Sequence, residues 1–229
     1  MSGPLSDPVR LLAAWESGAG SPPVARGAAM VAAAGLVSDA GAALDLPLAA
    51  CAALVVRTHV EAFGGLVPCA ATCPGCAEPI ELTLDLTALS DGEPARTATV
   101  AGGAVTVRAL TTRDLLDAAT AEDPRALLLS RCVEGCGTAA AAVEDEVGAA
   151  AERLAGAAAV VLRAVCPGCG SPVRFGLDPG LLLWEQVATA AGRLLVEVAE
   201  LAAAYGWSEP EVLRLSPMRR AAYRELAGR

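Results

Sequence analysis

Apolar residues recur at helical spacing over most of this chain and switch to strict alternation in two short places. Toward the C-terminus Trp184, Val187, Ala191, Leu195, Val198, Ala202 and Tyr205 fall three or four residues apart, behind Asp178-Pro179 and ahead of Gly206. A capping carboxylate, a Pro in the first turn and a closing Gly predict one long helix there. The N-terminal part predicts three more: Ser6 to Glu16, stopped by Gly18 and Gly20; Pro22 to about Ala34, stopped by Gly35; and Pro47 to Phe63, stopped by Gly64-Gly65. In the third, Leu48, Cys51, Ala52, Val55, His59 and Ala62 share one face, which makes His59 a packing residue rather than a ligand.

Between these helical ends the period changes. A strand is expected at 80 to 86, a turn at Asp91-Gly92-Glu93, and strands near 97 to 100 and 104 to 108 joined by Gly102-Gly103, a small meander. Thr111 to Asp114 reads as a capping box opening a helix with Leu115, Leu116 and Ala119, and Pro124 to Val133 reads as another. Glu144-Asp145-Glu146 reads as an acidic helix start on a solvated face rather than as an acid–base pair. After the long helix, Ser208-x-x-Glu211 and Ser216-Pro217 open two short ones.

The strongest chemical signal is an internal repeat. Cys73-Pro-Gly-Cys76-Ala-Glu-Pro79-Ile80-Glu-Leu82-Thr-Leu84-Asp85 aligns without a gap on Cys166-Pro-Gly-Cys169-Gly-Ser-Pro172-Val173-Arg-Phe175-Gly-Leu177-Asp178. Each copy is a C-P-G-C turn leading into an alternating strand, with a Gly between the thiols free to adopt a positive φ. A two-residue gap lets both thiolates reach one ion about 2.3 Å away, and four sulfurs complete a closed tetrahedral shell. Cys73, Cys76, Cys166 and Cys169 are therefore the candidate ligands of one structural zinc ion, in a ribbon carrying an 89-residue insertion at 77–165. Two other readings remain: a redox pair and plain core thiols. The redox one needs the first Cys at a helix N-terminus, whereas Pro79 and Pro172 with period-2 apolar residues predict strands. Cys51, Cys69, Cys132 and Cys136 read as buried thiols, with Cys132 and Cys136 open to a second metal half-site that lacks an evident second pair.

Composition narrows the function classes. Of 229 residues 54% are hydrophobic but only seven are aromatic, so the core is built from Ala, Leu and Val, and wholesale disorder is excluded. The net charge is −9, and every cation is Arg, since the sequence has no Lys. Charged residues interrupt each apolar run before the length a spanning helix needs, so no membrane partner is expected. The N-terminus lacks the basic start and apolar middle of a secretory signal, which points to the cytoplasm and favours metal ligation over disulfides.

The final 24 residues, from Gly206, hold five Arg against three Glu, a local net of +2 on an acidic chain. Nucleic acid would be repelled by the rest of the surface, so docking onto an acidic protein face is expected instead, through Trp207, Arg219, Arg220 and Tyr223. Phosphate-binding loops and a nucleophile elbow are missing, and one His cannot fill several acid–base roles, so neither an enzyme nor a small-molecule substrate is expected.

The order of motifs resembles a known family. It runs from Leu11-Leu-Ala-Ala-Trp15-Glu16 through the first knuckle, Val107-Arg108-Ala-Leu-Thr-Thr-Arg-Asp114-Leu115 and Leu129-Ser-Arg-Cys132-Val133 to the second knuckle. It closes with Leu183-Trp184-Glu185, Ala204-Tyr205-Gly206-Trp207-Ser208-Glu209 and Leu215-Ser-Pro-Met-Arg219-Arg220-Ala-Ala-Tyr223. This is similar to the zinc-knuckle proteins of phage-tail-like contractile injection systems, relatives of the T-even phage baseplate hub assembly proteins. The resemblance implies a non-enzymatic structural or assembly role, with baseplate, hub or tube proteins as partners. Family members often carry a His near the position of Ala199, which this chain lacks. The alternative is a cytosolic zinc-ribbon adaptor unrelated to injection particles.

The expected fold is α+β: a helical region at 1–65, a zinc-ribbon-like core at 66–178 with its β/α insertion, and a C-terminal helical segment at 179–229.

Overall fold

Capping chemistry sets most of the helix starts. The computed structural model of the protein describes residues 3–89, 94–134 and 143–228. In chain order the first helices are α1 (Pro8–Ala19), α2 (Arg26–Ala33), α3 (Ala40–Leu44) and α4 (Leu48–Phe63). Strands β1 (Leu66–Thr72), β2 (Pro79–Asp85), β3 (Thr97–Val100) and β4 (Val105–Arg108) lead to α5 (Thr112–Ala119) and α6 (Pro124–Cys132). The short β5 (Val133–Glu134) and α7 (Glu144–Ala155) precede β6 (Val161–Val165) and β7 (Pro172–Gly176), and α8 (Pro179–Tyr205), α9 (Glu209–Leu213) and α10 (Pro217–Ala227) end the chain. The Asp7, Asp39, Asp123, Asp178 and Ser216 side chains each accept a backbone N–H of the helix they open. Thr111 with Asp114 and Ser208 with Glu211 form full capping boxes.

The elements differ from expectation in several places, and α3, opened by the Asp39 cap, was not expected. The first helix runs through Gly18 to Ala19, because Gly18 serves close approach rather than termination. A Cβ there would meet the Trp184 ring at 2.6 Å. The second begins with a tight 3-10 turn at Pro23–Ala25 before α2 proper. Strands β1 and β6, which precede the knuckles and were not expected, pair with β2 and β7. Hence β2 and β6, inside the 77–165 stretch, belong to the ribbon rather than to its insertion. The expected turn at Asp91-Gly92-Glu93 lies outside the described residues.

The molecule is mixed α and β with small antiparallel sheets: β1–β2, β3–β4–β5 and β6–β7. Helices α1 to α4 and the first half of α8 enclose a core of Ala14, Met30, Val31, Val55, Leu183 and Val187. Small residues let these helices approach closely, as where Gly27 of α2 faces Gly180 of α8. A second core, with Val107, Cys132, Val147 and Leu154, sits between the meander and α7.

The insertion is joined to the helical layer by the Leu48 N–H donating to the Leu110 carbonyl at 2.8 Å and by an Arg113–Asp45 ion pair. Inside it, Arg108 at the end of β4 donates two hydrogen bonds, 2.8 and 2.9 Å, to the buried carboxylate of Asp114. The Thr111 N–H and hydroxyl donate to the same carboxylate at 2.9 and 3.0 Å. Burial alone would raise the Asp114 pKa; these donors outweigh it and hold the carboxyl below the usual carboxylate range.

Candidate metal centre

Both knuckles turn out to be hairpin turns. Helix α4 ends at Gly64, whose φ of 96° frees the chain to enter β1, and β1 pairs with β2 from Leu66 opposite Asp85 to Thr72 opposite Pro79. At the tip the Cys73 N–H donates to the Glu78 carbonyl and the Ala77 N–H to the Cys73 carbonyl, both at 2.9 Å. The second hairpin repeats this with the Cys166 N–H on Ser171 and the Gly170 N–H on Cys166, again at 2.9 Å. The positive φ lies one residue past the second Cys, at Ala77 (60°) and Gly170 (72°), and not at the Gly between the thiols. The left-handed residue after the second Cys swings the chain back into register.

Alternation along the strands places the inner faces together. Ile80 and Leu82 of one hairpin meet Ala164, Val173 and Phe175 of the other, beside the buried thiols of Cys73 and Cys166. At the hairpin bases Val67 and Leu84 meet Leu162, and Leu86, Leu177 and Val56 of α4 continue that core. The ribbon is thereby seated on the end of α4 and the start of α8.

This stacking brings the four expected ligands together. All four sulfurs lie within 4.8 Å of one another. The first Cys of each knuckle faces the second of the other: Cys73 to Cys169 at 3.8 Å and Cys76 to Cys166 at 3.5 Å. Sulfurs about 2.3 Å from a shared tetrahedral ion stand about 3.8 Å apart, so the spacing fits a metal. It is far too long for disulfides, and the four are free thiols. Cys73 and Cys166 are buried and Cys76 and Cys169 exposed, so the cluster has one side in the ribbon core and one at the surface.

The two exposed thiols are shifted in opposite directions. The Ser171 side chain, then its N–H, and contacts with Cys76 and Cys166 lower the Cys169 thiol to about 6. The Glu78 N–H is the largest influence on Cys76 and lowers it, but the neighbouring thiols Cys166 and Cys169 together push it up to about 12. Of the two exposed thiols, Cys169 therefore gives up its proton more readily than Cys76. With four thiolates in place, a tetrahedral ion has no position left for water or substrate.

The remaining cysteines stand apart. Cys51 is buried in α4, where burial pushes its thiol up to about 11. Cys69 is half-buried on the inner face of β1, and Cys132 is buried in the insertion, its thiol on the Leu129 carbonyl at 3.5 Å. Cys136 lies outside the described residues. His59 is buried, with Nδ1 donating to the Gly64 carbonyl at 3.1 Å.

The four expected docking residues separate into two groups. Trp207 and Tyr223 join Tyr205 in an aromatic trio, with Tyr205 stacked on Trp207 at 4.7 Å and Tyr223 edge-on to Trp207 at 4.9 Å. The Tyr205 hydroxyl donates to the Tyr223 carbonyl, and Trp207 and Tyr223 cover Val198, Leu201 and Val212, folding α9 and α10 back onto α8. Arg219 is exposed, its guanidinium 6.0 Å from the Tyr223 ring. Arg220 is 6% exposed, donating to Glu197 at 2.8 Å and to the Leu215 carbonyl at 2.8 Å. Arg220 therefore faces inward and anchors α10 instead of offering charge to solvent. Arg224 pairs with Glu200 and Glu197 beside it. The signal for this was Glu197 and Glu200, three apart on α8, matching Arg220 and Arg224, four apart on α10.

Among the described residues no helix is long and apolar enough to cross a membrane. Protein-family models, curated proteins and solved structures were each compared with the chain, and none matches.

Proposed function

We propose that this chain is a non-enzymatic structural or assembly component of a phage-tail-like contractile injection particle, acting at the baseplate or hub. In this reading one zinc ion, held by Cys73, Cys76, Cys166 and Cys169, is a structural staple. The carrying observation is the closed cluster of four thiols at the tips of two stacked hairpins, a donor set suited to zinc and to architecture rather than turnover. The particle is suggested by the motif order along the sequence, from Trp15 to the Tyr205–Tyr223 stretch. Docking onto baseplate, hub or tube proteins falls to exposed Arg219 and the outer edges of Trp207 and Tyr223, flanked by Met218 at 83% exposure.

The test is mass spectrometry of what copurifies with the tagged protein from its native cells, comparing sedimented particles with free lysate. Tail proteins in the particle fraction make it a subunit, and tail proteins in the soluble fraction alone make it an assembly chaperone. Tail proteins in neither overturn the reading in favour of a zinc-ribbon adaptor in the cytosol. Arg219→Glu is expected to leave folding intact and stop particle assembly; normal particles would sink the docking surface.

A further inference from the structure

The inner faces of the two hairpins pack on each other, so their outer faces point to opposite sides of the ribbon, and these differ in charge. On β6–β7 the antiparallel register sets Arg163 directly opposite Arg174, both exposed. Like charges directly opposite across a strand pair are destabilising. Neither guanidinium has an ion-pair partner among the described residues to offset this. Val161, at 46% exposure, and Val165, at 68%, flank the pair on the same face. On β1–β2 the outer face carries exposed Glu81 and Asp85, with Leu66 opposite Asp85 and 69% exposed. The rest of each outer face is small, with Ala70 and Pro68 on one and Pro172 and Gly176 on the other, so neither obstructs close approach.

We propose that these two faces bind each other between copies of the chain, the Arg163–Arg174 face of one against the Glu81–Asp85 face of the next. Two adjacent guanidinium forks suit a carboxylate, and the exposed Val and Leu side chains gain burial in the same contact. The surfaces are different and lie on opposite sides of the ribbon, so the contact is head-to-tail and propagates through successive copies rather than closing as a two-fold dimer. The occupant is a second copy because the matching acidic and aliphatic surface is present on this chain. A nucleic acid would meet a protein of net charge −9.

The experiment is sedimentation velocity over a wide concentration range with a charge-swap pair. Wild type is expected to rise in average mass with concentration. Arg163→Glu with Arg174→Glu leaves two acidic faces, and Glu81→Arg with Thr83→Arg two basic ones, so each variant alone stays a single chain. An equimolar mixture restores association, which misfolded chains could not do, and unchanged circular dichroism and metal content confirm the fold of each. Arg163→Gln with Arg174→Gln, which removes charge without reversing it, is expected to weaken association. A wild type that stays a single chain throughout overturns the proposal. So does a charge-swap variant that associates like wild type, or a mixture that regains nothing.

Discussion

Replacing Cys73 with Ser removes one of the four proposed metal ligands, at the least exposed thiol of the cluster, 1% accessible. A metal held by the four thiols would tie Cys76 to Cys166 across the 89 residues at 77–165. Treated as a covalent cross-link, closing a loop of that length is worth about 4 to 5 kcal/mol of chain entropy. Domains are stable by only about 5 to 15 kcal/mol, so the staple is a large share of the total. At about 2 to 4 °C per kcal/mol for a chain of this size, Cys73→Ser should lower the melting temperature by roughly 10 to 20 °C. Loss should begin in the ribbon, where Ile80 and Val173 are held by the thiols, before the core around Met30 and Leu183. Differential scanning calorimetry of wild type, wild type with a zinc chelator, and the variant measures this, with Cys51→Ser as a buried-thiol control. Chelated wild type should overlay on Cys73→Ser, and Cys51→Ser should keep its metal. A Cys73→Ser protein with unchanged metal content and melting temperature would refute the reasoning.

Three further outcomes are expected. Arg220→Ala strips the buried partner from Glu197 and the Leu215 carbonyl and should cost about 3 kcal/mol or more in denaturant melts, whereas Arg219→Ala should stay within about 0.5 kcal/mol; equal effects would contradict the inward assignment of Arg220. Asp114 has its pKa lowered in the folded protein, so its stabilisation is present above the unfolded value near 3.9 and is lost as pH falls toward the lower folded one. Asp114→Asn should therefore be less stable at neutral pH and lose less on acidification, and parallel pH curves for the two proteins would argue against it. Gly18→Ala drives a methyl into the Trp184 ring and should cost about 1 to 3 kcal/mol; an unchanged melting curve would show that the ring moves aside freely.

The helices were legible because their signals are local. Asp178, the Thr111–Asp114 box and Ser208–Glu211 act within four residues of themselves, and each opens a helix where expected. The four-cysteine cluster was legible because the knuckle repeats as a unit. Strand β1 was not: Leu66-Val-Pro-Cys-Ala-Ala-Thr72 carries Pro68 and two Ala, weak strand formers, and becomes a strand only by pairing with β2. In β6 the alternation of Val161, Arg163 and Val165 follows an Ala run that hides it. Gly18 reads as a helix stop until Trp184, 166 residues later, is seen beside it. Arg220 reads as surface charge because nothing near it in sequence reveals Glu197. The misses at Gly18 and Arg220 share a cause, a partner distant in the chain, whereas β1 and β6 were hidden by weak strand composition beside their own hairpin partners.

The account rests on one metal ion held by sulfur alone, and native mass spectrometry joined to X-ray absorption at the metal edge tests that directly. The predicted result is one zinc per chain with four sulfur neighbours at about 2.3 Å and no nitrogen or oxygen ligand. Protein purified under reducing conditions that carries no metal, or a metal bound in part by nitrogen or oxygen, would contradict it.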